Sequence, residues 1–153
     1  MHRQDCRGFT LIELIASITI VAILAAVTLP RLTAATPYAE RGYADGIAAS
    51  LRQSRSVALA SGCDVQFTIN ALGYSAFQRA AAGTHCAAAG AWTTPVQRGA
   101  GGALNERQPA GVVLAANRVI VFRDTGSLAG PAVNITVGPH VITVDASGLV
   151  QGP

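Results

Sequence analysis

The chain contains no lysine: all eleven basic residues are arginines. From Arg31 to Arg123 they form no run, so there is no basic stripe of the kind that wraps a nucleic-acid backbone. Charge of either sign is scarce, at 12% of 153 residues. The net charge of +3 is not concentrated: Arg3, Arg7 and Asp5 together carry +1 of it, leaving a weakly basic remainder. Aromatic residues make up only 5%, with a single tryptophan, which excludes a core packed mainly from rings and leaves one rich in alanine and glycine. A chain of this length can bury one core but not two independent ones. No internal repeat is present.

Several chemical signatures are missing as well. Cys63, Asp64, His85 and Cys86 have ligand side chains but no Cys-x-x-Cys pair, so no zinc or other metal site is expected. Ser127, His140, Asp145 and Ser147 supply hydrolytic residue types, yet neither serine sits in a nucleophile-elbow pattern. Gly99, Gly101 and Gly102 lack the spacing and the preceding strand of a phosphate-binding fingerprint. No catalytic residue and no cofactor is expected, and the chain is not read as an enzyme.

What is abundant is apolar sequence, at 50% of residues, and much of it lies in one run. Residues 14–29 carry no charge; extended back to Phe9, the run is long enough to cross about 30 Å of hydrocarbon as a helix. Arg3 and Arg7 precede it, which by the positive-inside bias holds the N-terminus in the cytoplasm and sends the rest outward. A cleaved secretory signal shares these features. Against that reading, the small-x-small site around Ala25 and Ala26 is poorly formed, and Glu13 interrupts the apolar run. A carboxylate at the bilayer centre costs about 2.5–3.5 kcal/mol, so Glu13 needs a partner.

The stretch Gly8-Phe9-Thr10-Leu11-Ile12-Glu13 resembles the processing site of type IV prepilins and type II secretion pseudopilins. The resemblance implies a leader over residues 1–8, cut by a prepilin peptidase between Gly8 and Phe9, with Phe9 then N-methylated. It also implies that the new amine of Phe9 meets the Glu13 carboxylate of a neighbouring subunit during assembly. Four residues apart, the two groups share a helix face. A membrane and assembly helix is expected over 9–30, with Pro30 ending or bending it because proline removes a backbone donor. Small residues such as Ala16, Ser17 and Ala22 allow close helix approach.

Beyond Pro37 the period stays helical. Tyr43, Ile47, Leu51, Ser54, Val57 and Ala58 fall on one face, with Arg41, Asp45, Arg52 and Arg55 on the other. An amphipathic continuation over 31–62 is predicted, capped at Gly62. A β-rich domain follows over 63–153: a hairpin from 65–69 and 74–77 around Leu72-Gly73, then strands at 112–114, 119–122, 134–137 and 141–144. Residues 79–90 and 98–103 are read as loops. The fold class is α+β, a long N-terminal transmembrane helix packed on a small antiparallel sheet domain. Cys6 lies ahead of the apolar run, whereas Cys63 and Cys86 face an oxidising space if the run is a membrane span, so a disulfide is expected between them.

The order of elements, with Trp92 between loops and the turn at 122–126, is similar to the minor pseudopilin H and FimT-type branch of that superfamily. Three functions follow: a structural minor pilin or pseudopilin, a DNA-binding pilin for transformation, and an exported enzyme on an anchor. The first leads. It implies a single-pass protein of the bacterial inner membrane with a periplasmic domain, later part of a pilus or pseudopilus. Its partners would be other pilins, the peptidase and the assembly platform. Some FimT-type relatives resembling this chain take up DNA through a Gly-Arg-x-Arg strand. Here the matching residues are Gly148, Leu149, Val150 and Gln151, which leaves Arg118 and Arg123 as the nearby candidates for phosphate contact.

Overall fold

The computed structural model describes residues 10–33, 36–83, 85–99 and 101–153. The chain divides into two compact units, with the boundary after residue 35. In the first, helix α1 spans Leu11–Thr33. It carries Pro30 within it and closes three residues later, so helical geometry outlasts the expected break. Proline removes only its own N–H from the ladder, and the residues after it can still bond backwards.

The second unit opens with helix α2, Thr36–Ser61. Tyr43, Ala44, Ile47, Ala48, Leu51, Ser54 and Ala58 are buried along one stripe. Buried Ser54 is satisfied locally, its hydroxyl donating to the Ser50 carbonyl at 2.8 Å. Gly62, in the left-handed region at φ 63°, stops the helix at the expected place.

Among the described residues ten strands follow: β1 Val65–Asn70, β2 Gly73–Arg79, β3 Ala81–Ala82, β4 His85–Cys86, β5 Trp92–Pro95, β6 Asn105–Arg107, β7 Arg118–Phe122, β8 Val133–Val137, β9 His140–Val144 and β10 Val150–Gln151. The larger sheet has five strands in the order β5-β2-β1-β7, with β6 also paired to β2; a three-stranded sheet runs β10-β9-β8, and β3 pairs with β4. Every pairing is antiparallel. The fold is therefore α+β, and the helix that packs on the sheets is α2, which meets β1 and β7 of one sheet and β8, β9 and β10 of the other.

One core serves the whole unit. Ile47 and Leu51 of α2 lie among Val65, Phe67, Ile69 and Phe122 from the large sheet and Ile135, Ile142 and Val144 from the small one. Each side chain of this size contributes about 1.5–3 kcal/mol on full burial. Two expectations need correction. Residues 112–114 do not form a strand; they make one bridge, Leu114 to Val137, with the Val113 carbonyl accepting from Gly138 N–H at 3.2 Å. The segments read as loops include the short strands β3 and β4, and strands β5, β6 and β10 were not anticipated at all. Pieces of two to four residues are too short to show a period.

Candidate functional site

The start of α1 is built by Thr10. Its carbonyl accepts from the N–H groups of Glu13 and Leu14, each at 3.1 Å, and its hydroxyl oxygen accepts from Glu13 N–H at 3.3 Å. Thr10 is thus an N-cap, satisfying donors that a helix start leaves unpaired. Glu13 becomes the third residue of the helix, where a carboxylate interacts favourably with the positive end of the macrodipole. The Thr-x-x-Glu spacing is a capping-box signal visible in the sequence, and reading it would have located the helix start. Gly8 and Phe9 lie outside the described residues.

Around Glu13, over residues 11–25, the helix carries apolar side chains on every side. Leu11, Ile12, Leu14, Ile15, Ile18, Ile20, Val21, Ile23 and Leu24 are all exposed in the single chain. Two of its hydroxyls bond backwards: Ser17 donates to the Glu13 carbonyl at 2.7 Å, and Thr19 donates to those of Ile15 and Ala16 at 3.0 and 2.8 Å. Such bonds hide polar groups where no water is at hand. By helical period Glu13 shares its stripe with Ser17, Ile20 and Leu24, so its carboxylate stands at the end of a face that carries no other charge through Leu24. Among the described residues no helix is long and apolar enough to cross a membrane.

In the second unit Cys63 and Cys86 are joined by a disulfide, with their Cα atoms 5.7 Å apart. It ties the end of α2 to β4 and thereby holds the β3–β4 hairpin. Among the described residues no group of His, Cys, Asp and Glu is arranged to hold a metal ion. Asp64, the third member of the discarded ligand set, accepts from Asp124 N–H at 3.1 Å and lies 4.0 Å from the Arg79 guanidinium. Arg79 in turn stacks 4.2 Å over the Trp92 ring. Of the hydrolytic residue types, Asp145 accepts from the Gln151 amide and Ser127 bonds the Thr125 hydroxyl, so these two are committed to turns.

Arg118 and Arg123 do not converge. Arg118 opens β7, paired with Ile69, whereas Arg123 lies just past its other end. Five residues of strand place them about 17 Å apart. Two arginines on the face of α2 opposite its buried stripe also bond to the domain: Arg52 donates to the carbonyls of Val150 and Gly152, and Arg55 to that of Gly126 at 3.1 Å. Arg52 thereby fastens the C-terminal strand to α2, and Arg55 the turn that follows β7. Gly148, at φ 79°, is part of this joint, since a Cβ there would strike the Gly126 carbonyl oxygen.

Residues 3–29 match the family described as the prokaryotic N-terminal methylation motif, a type IV pilin-like signal. The match takes in the Gly8 to Glu13 stretch and most of α1. No curated protein and no solved structure matches the chain.

Proposed function

We propose that this chain is a minor pilin or pseudopilin, a structural subunit of a type IV pilus or type II secretion pseudopilus that helps to start or tip the filament. The methylation motif over residues 3–29 carries the reading. The precursor is anchored in the inner membrane with residues 36–153 in the periplasm; the peptidase removes residues 1–8, and Phe9 is methylated. The charge-free run over 14–29 and the exposed apolar side chains of α1 support the anchor, because a helix apolar on all sides needs an apolar surrounding.

Assembly then follows from the cost of leaving a charge single in lipid. Glu13 of one subunit receives the Phe9 amine of its neighbour, and the pair sets the register between helices. Removing one partner of a buried ion pair costs about 3–5 kcal/mol, enough to exclude a subunit from the filament. The chain is not an enzyme on this reading. DNA uptake is the weaker alternative, because Arg118 and Arg123 stand at opposite ends of a strand and the C-terminal arginine pair is missing.

Mass spectrometry of the chain purified from cells containing a prepilin peptidase tests the proposal. The mature protein should begin at N-methylated Phe9, and Gly8→Val should leave the precursor uncut. Glu13→Gln should be cut normally yet be absent from sheared filaments. An uncut wild-type chain, or Glu13→Gln incorporated at the wild-type level, overturns the proposal.

A further inference from the structure

A groove of about 470 Å³ opens at one end of the five-stranded sheet, beside the β1–β2 turn. Strand register explains its walls. Gly73 of β2 faces Asn70 on one neighbour and Arg107 on the other, and Ser75 faces Asn105. The alternate residues Ile69 and Tyr74 are buried in the core, so Asn70, Ser75, Asn105 and Arg107 share the opposite, outer face. Gly73 is the floor: at φ 141°, a Cβ there would collide with the Glu106 carbonyl and the Arg107 Cα. The missing side chain brings β6 close and leaves Asn70 and Arg107 two strand spacings apart, about 10 Å, across an empty centre.

The charge of this groove is unbalanced. Glu106 points to the other face and pairs with Arg98 at 2.6 Å. No acidic residue lines the groove, and among the described residues Arg107 has no ion-pair partner. We propose that the groove binds a carboxylated sugar of an acidic glycan, with the Arg107 guanidinium on the carboxylate and Asn105, Asn70 and Ser75 on the ring hydroxyls.

The chemistry of the lining selects this ligand class. A guanidinium offers a planar fork to a carboxylate, and the Asn105 carboxamide donates and accepts at once, as neighbouring sugar hydroxyls require; Asn70 offers its amide N–H groups, its Oδ1 accepting from Leu72 N–H at 2.8 Å. Leu72, 82% exposed at the turn, offers apolar surface to the C–H face of a ring. The volume falls within the range of small-ligand sites. Single-stranded nucleic acid fits less well, since it asks for exposed aromatic faces and a track of cations, whereas Tyr74 is 5% exposed and Arg107 is the one cation of the lining.

The test is calorimetric titration of the full chain in detergent micelles with hexagalacturonate and with a muramic-acid disaccharide, using maltohexaose as the uncharged control. At least one acidic sugar should bind saturably, and the control at least about tenfold more weakly. Arg107→Gln and Asn105→Ala should each weaken binding about tenfold or more, and Arg118→Gln should leave it unchanged. Both groove residues are exposed, so an unaltered melting curve for these variants is expected and separates lost binding from lost fold. Binding of the uronate alone points to a secreted polysaccharide as the source, and of the disaccharide alone to the cell wall. Absence of saturable binding by both, or binding indifferent to Arg107→Gln and Asn105→Ala, overturns the proposal. So does a preference for oligothymidylate that Arg107→Gln removes. None of these readouts depends on filament incorporation.

Discussion

Tyr43 shows most clearly what a single residue does here. Its ring stacks at a tilt on Tyr74, with centroids 5.6 Å apart, and is 5% exposed, while its hydroxyl is buried with no hydrogen-bond partner among the described residues. Burial first, then the proximity of Tyr74 and Glu106, pushes its pKa up from 10.0 to about 12. Between those values the unfolded chain has released the proton and the folded one has not. Stability contributed by the neutral phenol is therefore complete below pH 10 and lost as pH rises through 12. Tyr43→Phe should flatten that alkaline loss. At neutral pH it should be neutral or stabilising by about 1 kcal/mol, because an unpaired buried hydroxyl carries a desolvation penalty. Urea unfolding of the full chain in detergent at pH 7 and pH 11 checks both, and a large loss at pH 7 would reveal a partner for the hydroxyl.

At the level of elements, α2 is the organiser. Its 3.6-residue period was plain in the sequence because Tyr43, Ile47, Leu51 and Ala58 recur along one face and charged residues along the other. Leu51 is fully buried between the two sheets, so Leu51→Ala should cost about 2–5 kcal/mol in the same unfolding measurement. The disulfide acts on a different element. With 23 residues separating Cys63 and Cys86, closing the loop restricts the unfolded chain by about 3 kcal/mol. The double change Cys63→Ser, Cys86→Ser should lower stability by about that amount, and the unreduced wild type should resist alkylation at both positions. Equal stability with and without the bond would mean that the β3–β4 hairpin is held by other contacts.

For the whole molecule the decisive property is whether filaments need it. A strain lacking the gene should lose sheared surface pili and regain them on complementation if the chain serves a type IV pilus. Unchanged pili with impaired secretion would place it in the secretion pseudopilus. The separation of Arg118 and Arg123 along β7 predicts that DNA gel shift by the full chain is weak, and that what there is falls steeply with salt. Tight binding abolished by changing those two arginines would reinstate the uptake reading.

The motif at residues 8–13, the charge-free run, the amphipathic helix, the first hairpin and the candidate cysteine pair were all legible in the chain itself, because each is written in short-range spacing or a local period. The core strands β7, β8 and β9 were legible for the same reason. The short edge strands were not, since they exist only through pairing: β6 is a strand because β2 lies beside it, and β10 because β9 does. Nor could spacing reveal that Arg52 reaches the Val150 carbonyl, 98 residues away, and Arg55 the Gly126 carbonyl, 71 residues away. The outer-face groove belongs to the same class. Asn70, Gly73, Asn105 and Arg107 are unremarkable where they stand in the sequence, and only antiparallel register across three strands brings them to one surface around a glycine that leaves the space open.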